Sequence, residues 1–226
     1  QTGYCGVTEV IEKNVEVPIK FSTKLIKMLA ITRMPFTSAS LLPVFVVGAY
    51  FYGIGEGELS WGLFGLTLLG ILIAHLGINV LNDYFDVKDG TDEANAEYFQ
   101  QVSGGSRAIE LGLISLQGTR KLGIILTLIA LGIGGLILSN INEANFTGAM
   151  QIAVAGLLLG YFYTARPIRL VARRGLGEIA IFLAFGPLLT LGTGYVIFDN
   201  AFQESVHFMN CLLMGIPLGL LTTNIL

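Results

Sequence analysis

The chain has 226 residues, of which 53% are hydrophobic and only 13% charged, and its formal net charge is −3. Soluble domains carry about 25% charged residues, so this composition excludes an ordinary water-soluble fold and indicates an integral membrane protein. Nothing in the charge balance calls for a nucleic-acid partner.

Residues 1–33 are predicted to form a cytoplasmic tail that ends in an amphipathic helix on the inner membrane surface. From residue 18 onward, apolar side chains are set against lysines at helical spacing, which is typical of an interfacial helix. The apolar members are Phe21, Leu25, Ile26 and Leu29, and the basic ones are Lys20, Lys24 and Lys27. No disulfide is expected between Cys5 in this tail and Cys211 in an apolar run.

Six apolar runs without Lys or Arg follow the tail, and each is a candidate membrane span. They cover residues 34–54, 61–81, 122–138, 149–164, 179–198 and 206–226. A helix needs about 17 to 25 residues to cross a bilayer core of about 30 Å. The sequence therefore predicts an all-α, polytopic transmembrane helical bundle, in which glycine pairs such as Gly156 and Gly160 allow helices to approach closely.

The basic residues indicate the orientation of this bundle, because cytoplasmic loops retain Lys and Arg. The connections 55–60, 139–148 and 199–205 contain none of the 13 basic residues. The second of these connections includes the glycosylation triplet Asn145-Phe146-Thr147, a pattern that is common by chance. The amino terminus and the other loops are therefore predicted to face the cytoplasm. Those basic residues are Lys13, Lys20, Lys24, Lys27, Arg33, Lys88, Arg107, Arg120, Lys121, Arg166, Arg169, Arg173 and Arg174.

An acidic cluster lies where the second span reaches the cytoplasmic side, in the string NDYFDVKDGTD. If the helix continues to about residue 87, Asn79, Asn82, Asp83 and Asp86 share one face. Asn79, one turn before the first of these acids, is a candidate for binding the substrate. Two carboxylates one turn apart can bind a hard cation such as Mg²⁺, which completes its coordination with water or phosphate oxygens. Asp89 and Asp92 follow as further candidate ligands. A solvated helix end is the competing interpretation of the same pattern.

The loop after the fourth span is predicted to bind a diphosphate on the same side. It contains four arginines, whose guanidinium groups match phosphate oxygens, although orientation alone also explains arginines in this loop. Tyr163 is a candidate for stabilising a cation through its ring. Arg107, beside two glycines, is a further phosphate candidate. The four loop residues are Arg166, Arg169, Arg173 and Arg174.

His75 is expected to be a packed, hydrogen-bonded side chain, and Glu178 is expected to be either a site residue or an acid at a helix start.

Several linked motifs resemble the UbiA superfamily of membrane prenyltransferases, and most closely its 1,4-dihydroxy-2-naphthoate polyprenyltransferase branch. They are NDYFDVKDGTD, VSGGSRAIELGLIS, YTARPIR and RGLGEIAIFLAFGPLLTLGTGY. The resemblance implies that Asn82, Asp83 and Asp86 bind Mg²⁺ and an allylic diphosphate, with Asp92 completing the motif. The superfamily's usual spelling would place Asp at position 90, where this chain has Gly90, so Asp89 and Asp92 both remain candidate ligands.

The resemblance also implies nine helices and a second Asp-rich motif after the sixth. Residues 34–226 are therefore expected to be the front part of the prenyltransferase domain. The implied reaction is transfer of a polyprenyl group to an aromatic acceptor in menaquinone biosynthesis, at the cytoplasmic membrane. The alternatives are a (bacterio)chlorophyll synthase-like enzyme, a non-catalytic subunit of a larger membrane complex, and a transporter, which would instead place charged or broken helices near the bilayer midplane.

Overall fold

The structure, a computed structural model, describes residues 28–29, 31–55, 59–88, 108–109, 112–164, 167–173, 175–199, 202 and 204–225. Most of the predicted tail and interfacial helix therefore lies outside the described residues. Short 3-10 turns at Met34–Thr37 and Leu170–Ala172 accompany the helices. The helices are α1 (Ser38–Ile54), α2 (Trp61–Lys88), α3 (Leu116–Leu138), α4 (Glu143–Thr164), α5 (Leu176–Ile197) and α6 (Ser205–Ile225).

The predicted helical membrane fold is confirmed. Five helices are long and apolar enough to cross a bilayer, and α1 is a shorter apolar helix of 17 residues. The two shortest predicted runs belong to longer helices, because α3 and α4 begin with polar residues that hydropathy does not count. At the start of α3, the Ser115 hydroxyl accepts a hydrogen bond from the Gly118 amide at 3.1 Å and caps the helix.

Helix α2 packs along most of its length against α3, and α5 lies between α1, α4 and α6. The α2 and α3 backbones approach closely at Gly77 and Gly123. A β-carbon on Gly123 would lie 2.7 Å from the Leu81 side chain, and one on Gly77 would lie 3.2 Å from Leu126. Among the five long spans, α5 is the most buried. These two pairings position the ends of the helices relative to one another.

A π-helical turn, Ala184–Leu188, interrupts α5 at Pro187. A proline inside a helix removes one backbone donor, and the Thr190 hydroxyl lies 3.2 Å from the carbonyl oxygens of both Gly186 and Pro187. Helix α6 crosses α5 here, backbone against backbone. A β-carbon on Gly215 would lie 2.7 Å from the Pro187 nitrogen, and one on Gly219 would lie 2.5 Å from the Phe182 carbonyl oxygen.

The predicted glycine pair in α4 behaves differently at its two positions. A β-carbon on Gly160 would lie 3.2 Å from Ile78 of α2, so this glycine does allow a close contact. Among the described residues, no atom lies within 4 Å of a β-carbon placed on Gly156, so a close contact is confirmed at Gly160 alone of this pair. Spacing alone identifies glycines on one face of a helix, but it does not say whether another helix covers that face.

The end of the bundle opposite the acidic cluster is closed by aromatic and polar contacts. The rings of Phe51 and Phe198 stack with their centroids 4.4 Å apart. The Tyr50 hydroxyl lies 2.8 Å from His207 Nδ1 and accepts a hydrogen bond from the Asn210 amide, also at 2.8 Å. These contacts connect α1 to α6 and leave the candidate site at the other end of the helices.

Candidate active site at the end of α2

The first part of the acidic motif, as far as Lys88, lies on a continuous helix, because α2 extends unbroken to this residue. The predicted shared face of Asn79, Asn82, Asp83 and Asp86 follows from this continuity. Asp83 is buried, with 6% of its surface exposed, and Asp86 is half-buried one turn later. Both carboxylates interact with neighbouring groups. A buried carboxylate in a membrane protein is costly and therefore indicates a functional or tightly paired group.

Charged side chains from three segments lie within electrostatic range of Tyr163. Tyr163 lies at the end of α4, and the charges of Asp86, Glu178 and Arg33 act on its hydroxyl group. Glu178 is in the first turn of α5, and Arg33 immediately precedes the 3-10 turn before α1. The ends of α2, α4 and α5 that lie on this side of the bundle thus surround a polar region that contains both acidic and basic groups.

Arg33 has a backbone conformation that L-residues rarely adopt. Its φ of 52° and ψ of 41° lie in the left-handed region. Such a residue costs about 1 to 3 kcal/mol and persists where its surroundings hold it in place. Its guanidinium carbon lies 5.1 Å from the centre of the Phe36 ring. The charge of Arg33 also acts on His75, deeper along α2.

Sequence reasoning counted Arg33 only as a marker of orientation and so missed its place in this cluster. The available signal was its position directly before the first span, on the same membrane face as the acidic end of the second. Glu178 was weighed as a site residue or a helix-start acid, and the structure places it near Tyr163. Both positions depend on how α1 and α5 pack against α2, which hydropathy does not encode.

The arginine loop is only partly described. Arg169 has a left-handed backbone, with φ of 44°, directly before the turn Leu170–Ala172. The exposed Arg173 donates from Nε to the Ile168 carbonyl at 2.9 Å, so part of its hydrogen-bonding capacity supports the loop itself. The remaining predicted site residues lie outside the described residues: Asp89, Asp92, Arg107, Arg166 and Arg174.

Two polar side chains of α2 are held by neighbouring segments. The Asn79 amide donates to the Thr32 carbonyl oxygen at 3.2 Å. His75 is 6% exposed, hydrogen-bonds to Ser40 through Nδ1, and meets the Phe185 ring edge-on at 5.6 Å between centroids. The expectation that His75 is a packed, hydrogen-bonded residue is confirmed.

The oxygen donors on α2 suit a hard cation. Asp83, Asp86 and the neighbouring amide of Asn82 offer oxygen ligands from one face, which is the chemistry Mg²⁺ prefers over nitrogen or sulfur. Within the described residues, no group of three or more His, Cys, Asp or Glu side chains could hold a metal. Two carboxylates are nevertheless sufficient for Mg²⁺ when substrate phosphates complete its coordination.

A helical bundle with buried and half-buried acids at one end of a span defines an integral membrane protein with a polar site near one membrane face. Residues 40–226 match the UbiA prenyltransferase family, and the chain belongs to this family. No solved structure matches the chain significantly.

Curated relatives share modest sequence identity with the chain. The 2-carboxy-1,4-naphthoquinone phytyltransferase of Arabidopsis thaliana is 31% identical over 77% of this chain and 41% of its own length. The 1,4-dihydroxy-2-naphthoate octaprenyltransferase of Mycobacterium tuberculosis is 29% identical over 62% of the chain and 46% of its own length. UbiA prenyltransferase domain-containing protein 1 of Xenopus tropicalis is 28% identical over 84% of this chain and 50% of its own length. The chain thus spans about half the length of the curated relatives it matches.

Proposed function

We propose that the protein containing this chain transfers a polyprenyl group from an allylic diphosphate to a 1,4-dihydroxy-2-naphthoate-type acceptor, in menaquinone biosynthesis. Two relatives are named for naphthoate or naphthoquinone prenylation, which favours this acceptor class. The observation that carries the proposal is the buried Asp83 with Asp86 one turn later, at a polar end of an otherwise apolar bundle.

The residues of the site have distinct proposed roles around the diphosphate. Asp83 and Asp86 hold Mg²⁺, with the Asn82 amide oxygen on the same face. When bound, the ion neutralises the diphosphate and so assists its departure as a leaving group. Arg33 and Arg169 supply further positive charge near the phosphate oxygens. Asp89, Asp92, Arg107, Arg166, Arg173 and Arg174 are proposed to contribute to the same site.

Tyr163 is proposed to face the reacting carbon. Breaking the allylic carbon–oxygen bond leaves positive charge on the prenyl group, and the face of an aromatic ring stabilises a cation. The apolar spans hold the prenyl tail and keep water from reacting with the cation. The aromatic acceptor then forms the new carbon–carbon bond through its ring and loses its carboxyl group as carbon dioxide, while the diphosphate departs. Tyr163 lies within electrostatic range of Asp86 and Arg33, which supports this role, because Asp86 is a proposed ligand of the ion and Arg33 a proposed donor to the same diphosphate.

The test is prenyl transfer by membranes containing the full-length protein, with radiolabelled allylic diphosphate and 1,4-dihydroxy-2-naphthoate. Product formation should require Mg²⁺ and stop when EDTA is added. Asp83→Asn should lower kcat/KM by at least about 100-fold, because it removes a carboxylate that would hold the ion needed to neutralise the leaving group.

The matched control is Asp199→Asn, which changes an exposed aspartate at the other end of the bundle. It should leave turnover unchanged. Undiminished turnover by Asp83→Asn, at equal protein amounts, would contradict the proposed site. Transfer to a chlorophyllide acceptor in place of the naphthoate would instead favour the chlorophyll synthase alternative.

A further inference from the structure

The hydrogen bond from Asn79 to the Thr32 carbonyl oxygen connects the acidic motif to the segment that carries Arg33. Asn79 lies one turn before Asp83 on α2, and Thr32 is the residue immediately before Arg33. The bond is 3.2 Å long and joins residues 47 positions apart in the chain. The amide hydrogen used here points at backbone of this protein, and not toward a bound substrate.

Apolar contacts hold the same segment beside this bond. Ile31, Val80 and Ala108 form one buried cluster, against which Leu122 and Leu126 of α3 pack. Thr32 is itself buried, and its hydroxyl donates to the Met28 carbonyl at 2.8 Å. Residues 79 and 80 of α2 thus anchor residues 31 and 32 by one hydrogen bond and through a shared apolar cluster.

The direction of the Arg33 side chain depends on this anchoring. The left-handed backbone of Arg33 is unfavourable for an L-residue and needs restraint from its neighbours. The Asn79 bond restrains the peptide group directly before it. On the other side, the Phe36 amide donates to the Arg33 carbonyl oxygen at 3.0 Å. Loss of the Asn79 bond would release one side of the strained residue.

We propose that Asn79 is a positioning residue: its amide fixes the Thr32 peptide and so directs the Arg33 guanidinium toward the site formed by Asp86 and Tyr163. This inference rests on the proposed function, because it assigns Arg33 to binding of the diphosphate donor. Asn79 then affects donor binding through Arg33, without touching the donor.

A double-mutant cycle tests this coupling in the full-length protein in membranes. Asn79→Leu, which keeps side-chain size but cannot donate, should raise the KM for the allylic diphosphate about tenfold with kcat within about twofold, as expected for loss of one hydrogen bond. Once Arg33→Ala is present, adding Asn79→Leu should raise KM less than about twofold further, because the two residues act as one unit. If the increase in KM of the double mutant equals the product of the increases in the two single mutants, the proposal is overturned. An equal fall in kcat with unchanged KM would overturn it too.

A distance measurement separates this inference from the proposed activity. Spin labels are attached at Met28→Cys and Gly62→Cys, in a Cys5→Ser background that retains the buried Cys211. Gly62 lies on the same helix as Asn79, about 25 Å away by the rise of an α-helix, and has open space around it. Asn79→Leu should broaden the distance distribution between the labels.

The matched control is Asn210→Leu, which removes a half-buried amide bond of α6 to the Tyr50 hydroxyl at the opposite end of the bundle. It should leave the distribution unchanged. An unchanged distribution in Asn79→Leu would overturn the positioning role, whatever the enzyme assay shows. Absence of prenyl transfer by the wild-type protein, with the broadening present, would contradict the proposed function and the donor-binding role of Arg33, but not the anchoring of the segment.

Discussion

Asn145, at the start of α4, connects this helix to the end of α5. Its side-chain amide donates to the carbonyl oxygens of Tyr195, at 2.9 Å, and Phe198, at 2.8 Å. These carbonyls lie at the end of α5, where a helix leaves acceptors without backbone partners. Asn145 is 4% exposed. Asn145, the asparagine of the glycosylation triplet noted in the sequence, therefore has a structural role.

We predict that Asn145→Ala lowers the free energy of unfolding by about 1 to 3 kcal/mol, because two buried carbonyl oxygens lose their donor. Thermal unfolding of the detergent-solubilised protein measures this change. Asn140→Ala, which removes an exposed amide from the connection before α4, is the control and should change the free energy of unfolding by less than about 0.5 kcal/mol. Equal stability of wild type and Asn145→Ala would contradict the bridging role.

At the scale of helices, α5 and α6 owe their close crossing to glycine. Gly186, Gly215 and Gly219 meet backbone to backbone around the π-helical turn, and each leaves no room for a methyl group. Membrane helices lack the hydrophobic drive of water-soluble cores and associate through close packing of this kind. The positions of the helices were predictable from hydropathy. This crossing was not, because sequence spacing did not distinguish these glycines from those with open space.

Alanine substitution distinguishes the two kinds of glycine. Gly215→Ala would bring a methyl group within 2.7 Å of the Pro187 nitrogen, so α5 and α6 must separate, and we expect destabilisation of about 1 to 3 kcal/mol. Gly132→Ala in α3, which has open space, should instead stabilise the helix by up to about 1 kcal/mol. Chemical denaturation in mixed micelles measures both. Destabilisation of the same size at the two positions would contradict the close crossing.

For the whole molecule, the helix ends divide into a basic end that contains the candidate site and an opposite end closed by Phe51, Phe198 and the Tyr50 network. The acidic face of α2 was predictable, because it needs only helical periodicity and a helix that continues to residue 88. The approach of Arg33, Tyr163 and Glu178 to this face could not be predicted, since their positions depend on the packing of four separate segments. The anchoring of Asn79 to Thr32 likewise required tertiary structure.

The distribution of Lys and Arg predicts that the site faces the cytoplasm. Single introduced cysteines test this in intact cells, in a background in which native cysteines other than the buried Cys211, Cys5 among them, are replaced by Ser. A membrane-impermeant maleimide should label Ser139→Cys and Asp199→Cys from outside, and Lys88→Cys only after the membrane is permeabilised. Labelling of Lys88→Cys in intact cells would reverse the predicted orientation.

Binding of a divalent ion at Asp83 and Asp86 is the most direct measurement of the proposed site. Mn²⁺ is a paramagnetic substitute for Mg²⁺, and its electron paramagnetic resonance signal distinguishes bound from free ion. In the presence of an allylic diphosphate, the purified full-length protein should bind Mn²⁺, and Asp83→Asn should weaken that binding by at least about 10-fold, since even loss of a group that only supports a ligand has that effect. Asp199→Asn should not weaken it. Mn²⁺ binding of equal strength in wild type and Asp83→Asn would contradict the central claim.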